Sequence, residues 1–271
     1  MTQQDGPFAA ELRVALEAAR AAAALITARG GADEVREKGR ADLVTAVDEA
    51  AERAIAAVIG AAFPDDRIVG EELSSAHVHA GRRWYVDPID GTTNFVHGHP
   101  FCCASIAFAD DDGLAAAVIH APLLGHVFHA TRGGGAFLDD ASIRVTDVDQ
   151  PGRALLATGF PFKRGKGALD AYMLLVADVI RGTQDVRRAG SAALDLAYVA
   201  AGRVEGFFEI GLAPWDVAAG MLLVHEAGGR VTGWPGDADS PLRTGRVLAS
   251  NGRIHAWMEE ITAKHLPRLD G

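Results

Sequence analysis

An α+β fold whose two closely packed halves meet at a cleft is predicted by three features of this sequence. Apolar residues recur at helical spacing near the N-terminus, short β-rich segments separated by turn-formers follow, and the second half alternates strands with helices. The halves divide into residues 1–150 and 151–271, and no stretch between them has the length of a domain linker.

Leu12, Leu16, Ala19, Ala23 and Ile26 share one face of a helix over residues 8–28, which Gly30-Gly31 would stop. Thr45 would cap a second helix over 46–59 that buries Val47, Ala51, Ile55 and Val58. Strands at 67–70, 84–87, 102–109, 114–120 and 126–130 are rich in β-formers and form an antiparallel sheet. Beyond them come strands at 154–157, 204–210 and 247–250, and helices at 169–180, 192–201, 217–227 and 254–265.

With 49% hydrophobic and 23% charged residues, the chain has the make-up of a globular protein. The net charge of −10, with no Lys/Arg-rich block, argues against nucleic-acid binding. Glu11, Arg13, Glu17 and Arg20 interrupt the alanine-rich N-terminal stretch, so it reads as an amphipathic helix and not as a membrane span or signal peptide. Cys102 and Cys103, the only cysteines, would point to opposite faces of a strand; a disulfide is not expected, and the cytoplasm is the natural compartment. His77 with His79 and His126 with His129 lack a carboxylate or cysteine at zinc spacing.

The most informative run is 84–95, Trp-Tyr-Val-Asp-Pro-Ile-Asp-Gly-Thr-Thr-Asn-Phe. Tyr85 and Val86 suit a strand, Pro88 would end its pairing for want of an N–H, and Asp90-Gly91 is turn chemistry that frees the following amides. Asp87, Asp90 and the carbonyl of Ile89 supply oxygens of the kind magnesium prefers. Such a cation would also reverse locally the repulsion that an acidic protein exerts on a phosphate ester.

Three further segments carry acids. Glu71 and Glu72 follow the apolar Ile68-Val69 and Gly70, at a strand end or in a solvated loop. Asp216 would cap the helix that follows Pro214-Trp215, a role aspartate favours whatever its function. Thr45 and Asp48 are spaced as a capping box, which accounts for both without catalysis. Ser191 would cap the helix after Arg187-Arg188-Ala189-Gly190, and Glu209 follows Phe207-Phe208 in a strand, where pairing with an arginine is one use for it.

The 84–95 run resembles the metal-site motif of the inositol monophosphatase family, lithium-sensitive magnesium-dependent phosphatases. Asp42-Leu43-Val44-Thr45-Ala46-Val47-Asp48, Gly70-Glu71-Glu72 and Ala213-Pro214-Trp215-Asp216 resemble its other short motifs, and the likeness covers nearly the whole chain. Leu73 departs from it, since many relatives carry serine there.

The resemblance implies a five-layer α-β-α-β-α sandwich of the inositol monophosphatase and fructose-1,6-bisphosphatase type, with the active site between the halves. It implies two or three Mg²⁺ ions per site, of which Glu71, Asp87 and the Ile89 carbonyl hold one, and Asp87, Asp90 and Asp216 a second. Asp48 and Thr92 would then act on the attacking water, with Glu71 beside them, while Asp90, Gly91 and Thr92 receive the phosphate. Gly190, Ser191, Ala192 and Glu209 would line the substrate pocket, and Lys38, read as a loop residue, would approach metal or phosphate.

Hydrolysis of inositol 1-phosphate by a homodimer is thus the expected activity. Fructose 1,6-bisphosphate, histidinol phosphate and 3′-phosphoadenosine phosphate are alternative substrates, and a regulatory binding protein retaining the fold is the alternative of another class. Membrane and nucleic-acid partners are not expected.

Overall fold

The computed structural model describes residues 6–29, 35–39, 42–72, 80–161, 166–235 and 240–269; Leu73, His77 and His79 lie outside them. Helix α1 (Ala9–Arg29) is followed by an antiparallel pair, β1 (Val35–Gly39) and β2 (Asp42–Thr45), and by α2 (Ala46–Ala62). Next come β3 (Arg67–Gly70), β4 (Arg83–Asp90), the short helix α3 (Thr92–Val96), β5 (Cys103–Asp110), β6 (Gly113–Ala121), β7 (His126–Thr131), β8 (Gly135–Leu138) and β9 (Ala141–Ile143). The remainder is β10 (Leu155–Thr158), α4 (Lys166–Gly182), β11 (Asp185–Arg187), α5 (Ala192–Ala200), β12 (Gly206–Ile210), α6 (Pro214–Glu226), β13 (Arg230–Thr232), α7 (Pro241–Thr244), β14 (Arg246–Ser250), α8 (His255–Ala263) and α9 (Leu266–Leu269).

Strands β3 to β9 form a 7-stranded sheet in sequence order. It is antiparallel apart from β3, which runs parallel to β4, a departure from the all-antiparallel expectation. The second sheet has 5 strands in the order β11-β10-β12-β14-β13, parallel across the first two pairs and antiparallel across the last two.

Alternation along the strands builds the layers, because successive side chains leave opposite faces of a sheet. Trp84, Val86, Ile106, Phe108 and Val118 bury one face of the first sheet against α1 and α2, through Ala15, Ala18, Ile55 and Ile59. Tyr85, Ala107, Ala117 and Ile119 leave the other face and meet Leu194, Ala197, Val217 and Leu223 of α5 and α6. Those helices also cover Ala157, Phe207, Val247 and Ala249, whose neighbours Leu156, Phe208 and Leu248 face Tyr172 and Leu175 of α4 and Met258 of α8. The order is helices, sheet, helices, sheet, helices: an α+β sandwich of five layers.

Helix α6 is fastened to the first sheet at both ends. Ser105 Oγ on β5 donates to the Trp215 carbonyl at 3.3 Å, and the Glu226 carboxylate accepts from Gly133 N and Gly135 N at 2.8 and 2.9 Å.

Three further expectations need correction. Pro88 does not end β4: the ladder with β5 shifts register between Asp87 and Asp90 and resumes at Asp90 opposite Cys103, as a bulge absorbs the missing N–H. Asp216 is not the cap of α6: the cap is Ala213, Pro214 takes the first turn, where its lost N–H costs nothing, and Asp216 follows it there. The backbone of Lys38 belongs to strand β1, not to a loop, because 35–39 finds an antiparallel partner in β2.

Candidate active site

The bulge in β4 has a direct consequence for side-chain placement. Residues three apart in a regular strand leave opposite faces, whereas here Asp87, Ile89 and Asp90 all line one cavity of about 590 Å³. Asp87 is buried, and its Oδ1 accepts from Ile89 N at 3.0 Å. Gly91 then takes a left-handed conformation (φ 92°); a Cβ there would stand 3.0 Å from the Phe101 carbonyl and 3.2 Å from that of Gly190. The close approach joins the β4 turn to the start of α5. Asn94 reinforces it, with Nδ2 donating to the carbonyls of Phe101 and Ala189 at 2.7 and 2.8 Å.

Helix α2 approaches from behind. Its capping box is formed as spaced: Thr45 Oγ1 accepts from Val47 N and Asp48 N, and Asp48 Oδ2 accepts from Thr45 N at 2.9 Å and from Thr45 Oγ1. The box leaves Asp48 Oδ1 over, which receives the Thr92 hydroxyl at 3.1 Å; the same hydroxyl is 3.0 Å from the Ile89 carbonyl. Asp48 therefore caps a helix and holds Thr92 at once. Burial raises its pKa, against the bonds from Thr45 and Thr92.

From the second half, α5 presents its N-terminus. Gly190 is left-handed (φ 97°), and a Cβ on it would stand 2.7 Å from an Arg188 guanidinium nitrogen. Ser191 caps α5 by accepting from Leu194 N at 3.3 Å, and its hydroxyl donates to Asp90 Oδ2 at 2.7 Å. Ala193 N donates to the same oxygen at 2.6 Å, so Asp90 is held by the helix N-terminus as well. In the first turn of α6, Asp216 Oδ2 accepts from Ala213 N at 2.7 Å. Glu209 on β12 lies against Gly159, which has no side chain to keep it away.

The cavity is lined by Glu71, Asp87, Asp90, Asp195, Glu209 and Asp216, and among the described lining residues Arg188 is the single basic side chain. So much like charge has a cost that shows in the titration of the group. Burial pushes Asp87 far above the ordinary carboxylate range, and Glu71, Asp90, Asp216 and Asp48 push it further. Burial and then Asp216 raise Asp90 to about 7, against the bonds from Ser191 and Ala193. Glu209 is raised to about 8 by burial and then Asp216, with Arg188 opposing.

A divalent cation is the group that would relieve this repulsion, and the donor set, carboxylates with one backbone carbonyl, suits Mg²⁺. Among the described residues no three His, Cys, Asp or Glu side chains are already gathered closely enough to hold one ion. Mg²⁺ does not require that, since it binds through one or two carboxylates, keeps several waters and uses substrate phosphate for the rest. The residues fit the ion on those terms.

Of the positions singled out from sequence, Glu71, Asp87, Ile89, Asp90, Gly91, Thr92, Gly190, Ser191, Ala192, Glu209 and Asp216 line this one cavity. Asp48 stands behind Thr92, and the side chain of Lys38 lies outside what is described. Sequence reasoning missed Phe160, Arg188 and Asp195 in the lining. The Arg188 guanidinium lies 5.5 Å from the centre of the Phe160 ring, and Asp195 follows its cap Ser191 by four residues, one helical turn. That interval was the available signal for Asp195.

The architecture and its carboxylate-lined cavity define a class: five-layer sandwiches with an acidic site where strand ends and helix N-termini meet. Within that class the chain belongs to the inositol monophosphatase family, whose profile matches residues 9–267. It is 42% identical over 263 residues to the Nus factor SuhB of Pseudomonas aeruginosa, covering 94% of this chain and 97% of that one. Among solved structures it resembles the extragenic suppressor protein suhB of Bartonella henselae (37% identity, TM-score 0.87, 94% and 99% of the two chains). The IMPase of Thermotoga maritima is comparably similar (34% identity, TM-score 0.87, 96% and 99%).

Proposed function

We propose that this protein is a Mg²⁺-dependent phosphate monoester hydrolase acting on a polyol phosphate, inositol 1-phosphate foremost. The observation that carries the reading is the gathering of Glu71, Asp87, Asp90 and Asp216, from the segment just after β3, from β4 and from α6, around one cavity with a single basic side chain among its described lining residues. Bound there, Mg²⁺ would supply a water of lowered pKa and positive charge to offset the departing alkoxide.

The chain's own groups divide the remaining work. Glu71, Asp87 and the Ile89 carbonyl would hold one ion, and Asp87, Asp90 and Asp216 a second once the ion draws those three carboxylates closer than they stand without it. Thr92 donates its only proton to Asp48 or Ile89 O, which leaves oxygen lone pairs to accept from the attacking water and aim it. The amides of Gly91 and Thr92, at the turn that opens α3, would take phosphate oxygens. Gly190, Ser191 and Ala192 at the α5 N-terminus, with Glu209, would receive the polyol hydroxyls.

A cytoplasmic homodimer completes the proposal; for the compartment, the support is two buried free thiols that suit reducing conditions. No helix among the described residues is long and apolar enough to cross a membrane. A second reading, a regulatory binding protein on the same fold, is favoured by the Nus-factor names of relatives.

Phosphate release from inositol 1-phosphate, fructose 1,6-bisphosphate, histidinol phosphate and 3′-phosphoadenosine phosphate tests the reading. Turnover of inositol 1-phosphate should exceed the others, stop with EDTA, return with Mg²⁺ and fall in millimolar Li⁺. Turnover indifferent to chelator would exclude the metal-dependent reading, and no turnover of any ester would favour the second.

A further inference from the structure

Helix α2 carries a second buried acid that the catalytic scheme leaves unused. Glu52 follows Asp48 by four residues, so the two lie one turn apart on the same face, and both are 1% exposed. An acid among Val47, Ala51, Ile55 and Ile59 is out of place unless bonded, because a buried carboxylate without partners is costly. Its Oε2 accepts the backbone N–H of Glu72 at 2.7 Å, immediately after Glu71.

The approach is possible only because residue 70 is glycine. A Cβ at Gly70 would overlap Glu52 Oε1 and stand 2.7 Å from its Cδ. Gly70 is therefore the gap through which the Glu52 carboxylate reaches the backbone at the end of β3. Glu71, fixed between these two contacts, lines the cavity and stands near enough to Asp87 to raise its pKa.

We propose that Glu52 is a positioning residue for divalent-cation binding, holding the backbone on both sides of Glu71 so that its carboxylate faces Asp87 across the cavity. Asp48 and Glu52 would make α2 a common support for the site, Asp48 through Thr92 and Glu52 through the 70–72 backbone. The inference rests on the metal-dependent reading above.

The test uses Mn²⁺ as probe, with binding followed by electron paramagnetic resonance and calorimetry in the absence of substrate. Glu52→Ala is expected to weaken Mn²⁺ binding about 10-fold, the range seen when a partner of a metal ligand is lost. Glu52→Gln keeps an oxygen acceptor of the same reach and should stay within about 3-fold; an effect of charge alone would appear equally in both. Gly70→Ala, which forces the carboxylate away, should match Glu52→Ala. Ile55→Ala, one turn along α2, leaves a cavity in the core, should lower the melting temperature and should leave Mn²⁺ binding intact, which separates positioning from folding. Glu52→Ala and Gly70→Ala with wild-type binding, while Glu71→Gln binds weakly, would overturn this inference alone. A wild-type protein that binds no Mn²⁺ would overturn the metal-dependent reading itself.

Discussion

Replacing Thr92 with valine keeps the shape of the side chain and removes one hydroxyl. That hydroxyl stands 3.1 Å from Asp48 Oδ1 and 3.0 Å from the Ile89 carbonyl, and both acceptors lose it together. Asp48 retains its two bonds from Thr45 on the other oxygen, so the helix cap survives. A bond of this kind contributes about 1–3 kcal/mol, and Thr92 is only half-buried, which puts the loss of stability near 1 kcal/mol. If Thr92 aims the attacking water, the rate should fall about 10²–10⁴-fold, equivalent to about 2.7–5.5 kcal/mol in the barrier. The kinetic cost then exceeds the stability cost several-fold, whereas a purely structural hydroxyl would show the reverse. Phosphate release at saturating substrate and Mg²⁺ gives kcat, and scanning calorimetry gives the stability. Thr92→Ser should retain turnover to within about 10-fold, since it restores the hydroxyl. A folded Thr92→Val protein with kcat within 10-fold of wild type would refute the role.

Two further outcomes follow from the same geometry. Asp90→Asn keeps an oxygen to accept from Ser191 Oγ and Ala193 N, so its circular dichroism and melting temperature should stay close to wild type while turnover drops by orders of magnitude; undiminished activity would remove Asp90 from the site. Glu209 sits at about 8 when folded, against 4.5 for an ordinary glutamate, so the folded chain binds that proton more tightly than the unfolded one. Stability is then fully present below about pH 4.5 and declines as pH rises through about 8. Melting of the metal-free protein from about pH 5 to 8.5 should show the fall, and Glu209→Gln should flatten it; an unchanged slope in the variant would assign it elsewhere.

Legibility in the sequence followed the range of the interactions. Helices and central strands were evident because their apolar periods are local: the face of Val47, Ala51 and Ile55 is the one that α2 buries. Strands β2, β8, β9 and β13 were missed, being 3 or 4 residues long and recognisable chiefly by the partners they pair with. Asp87 and Asp90 could be named from their motif, but not the register shift that turns both toward one cavity, since it depends on the β5 backbone. Glu52 was passed over for a similar reason. A lone acid on an apolar stripe is a visible anomaly, while its partner, an amide 20 positions away, is not.

The two-ended fastening of α6 bears on how a ligand would reach the cavity. This helix delivers Asp216, yet Ser105 holds one of its ends and the turn before β8 grips Glu226 at the other, both belonging to the opposite sheet. Swinging the sheets apart like a clamshell would tear both attachments and uncover the apolar layer they share. A ligand would then enter and leave by the mouth of the cavity with the two sheets held together, and the molecule should melt in one cooperative step, with no early release of either sheet.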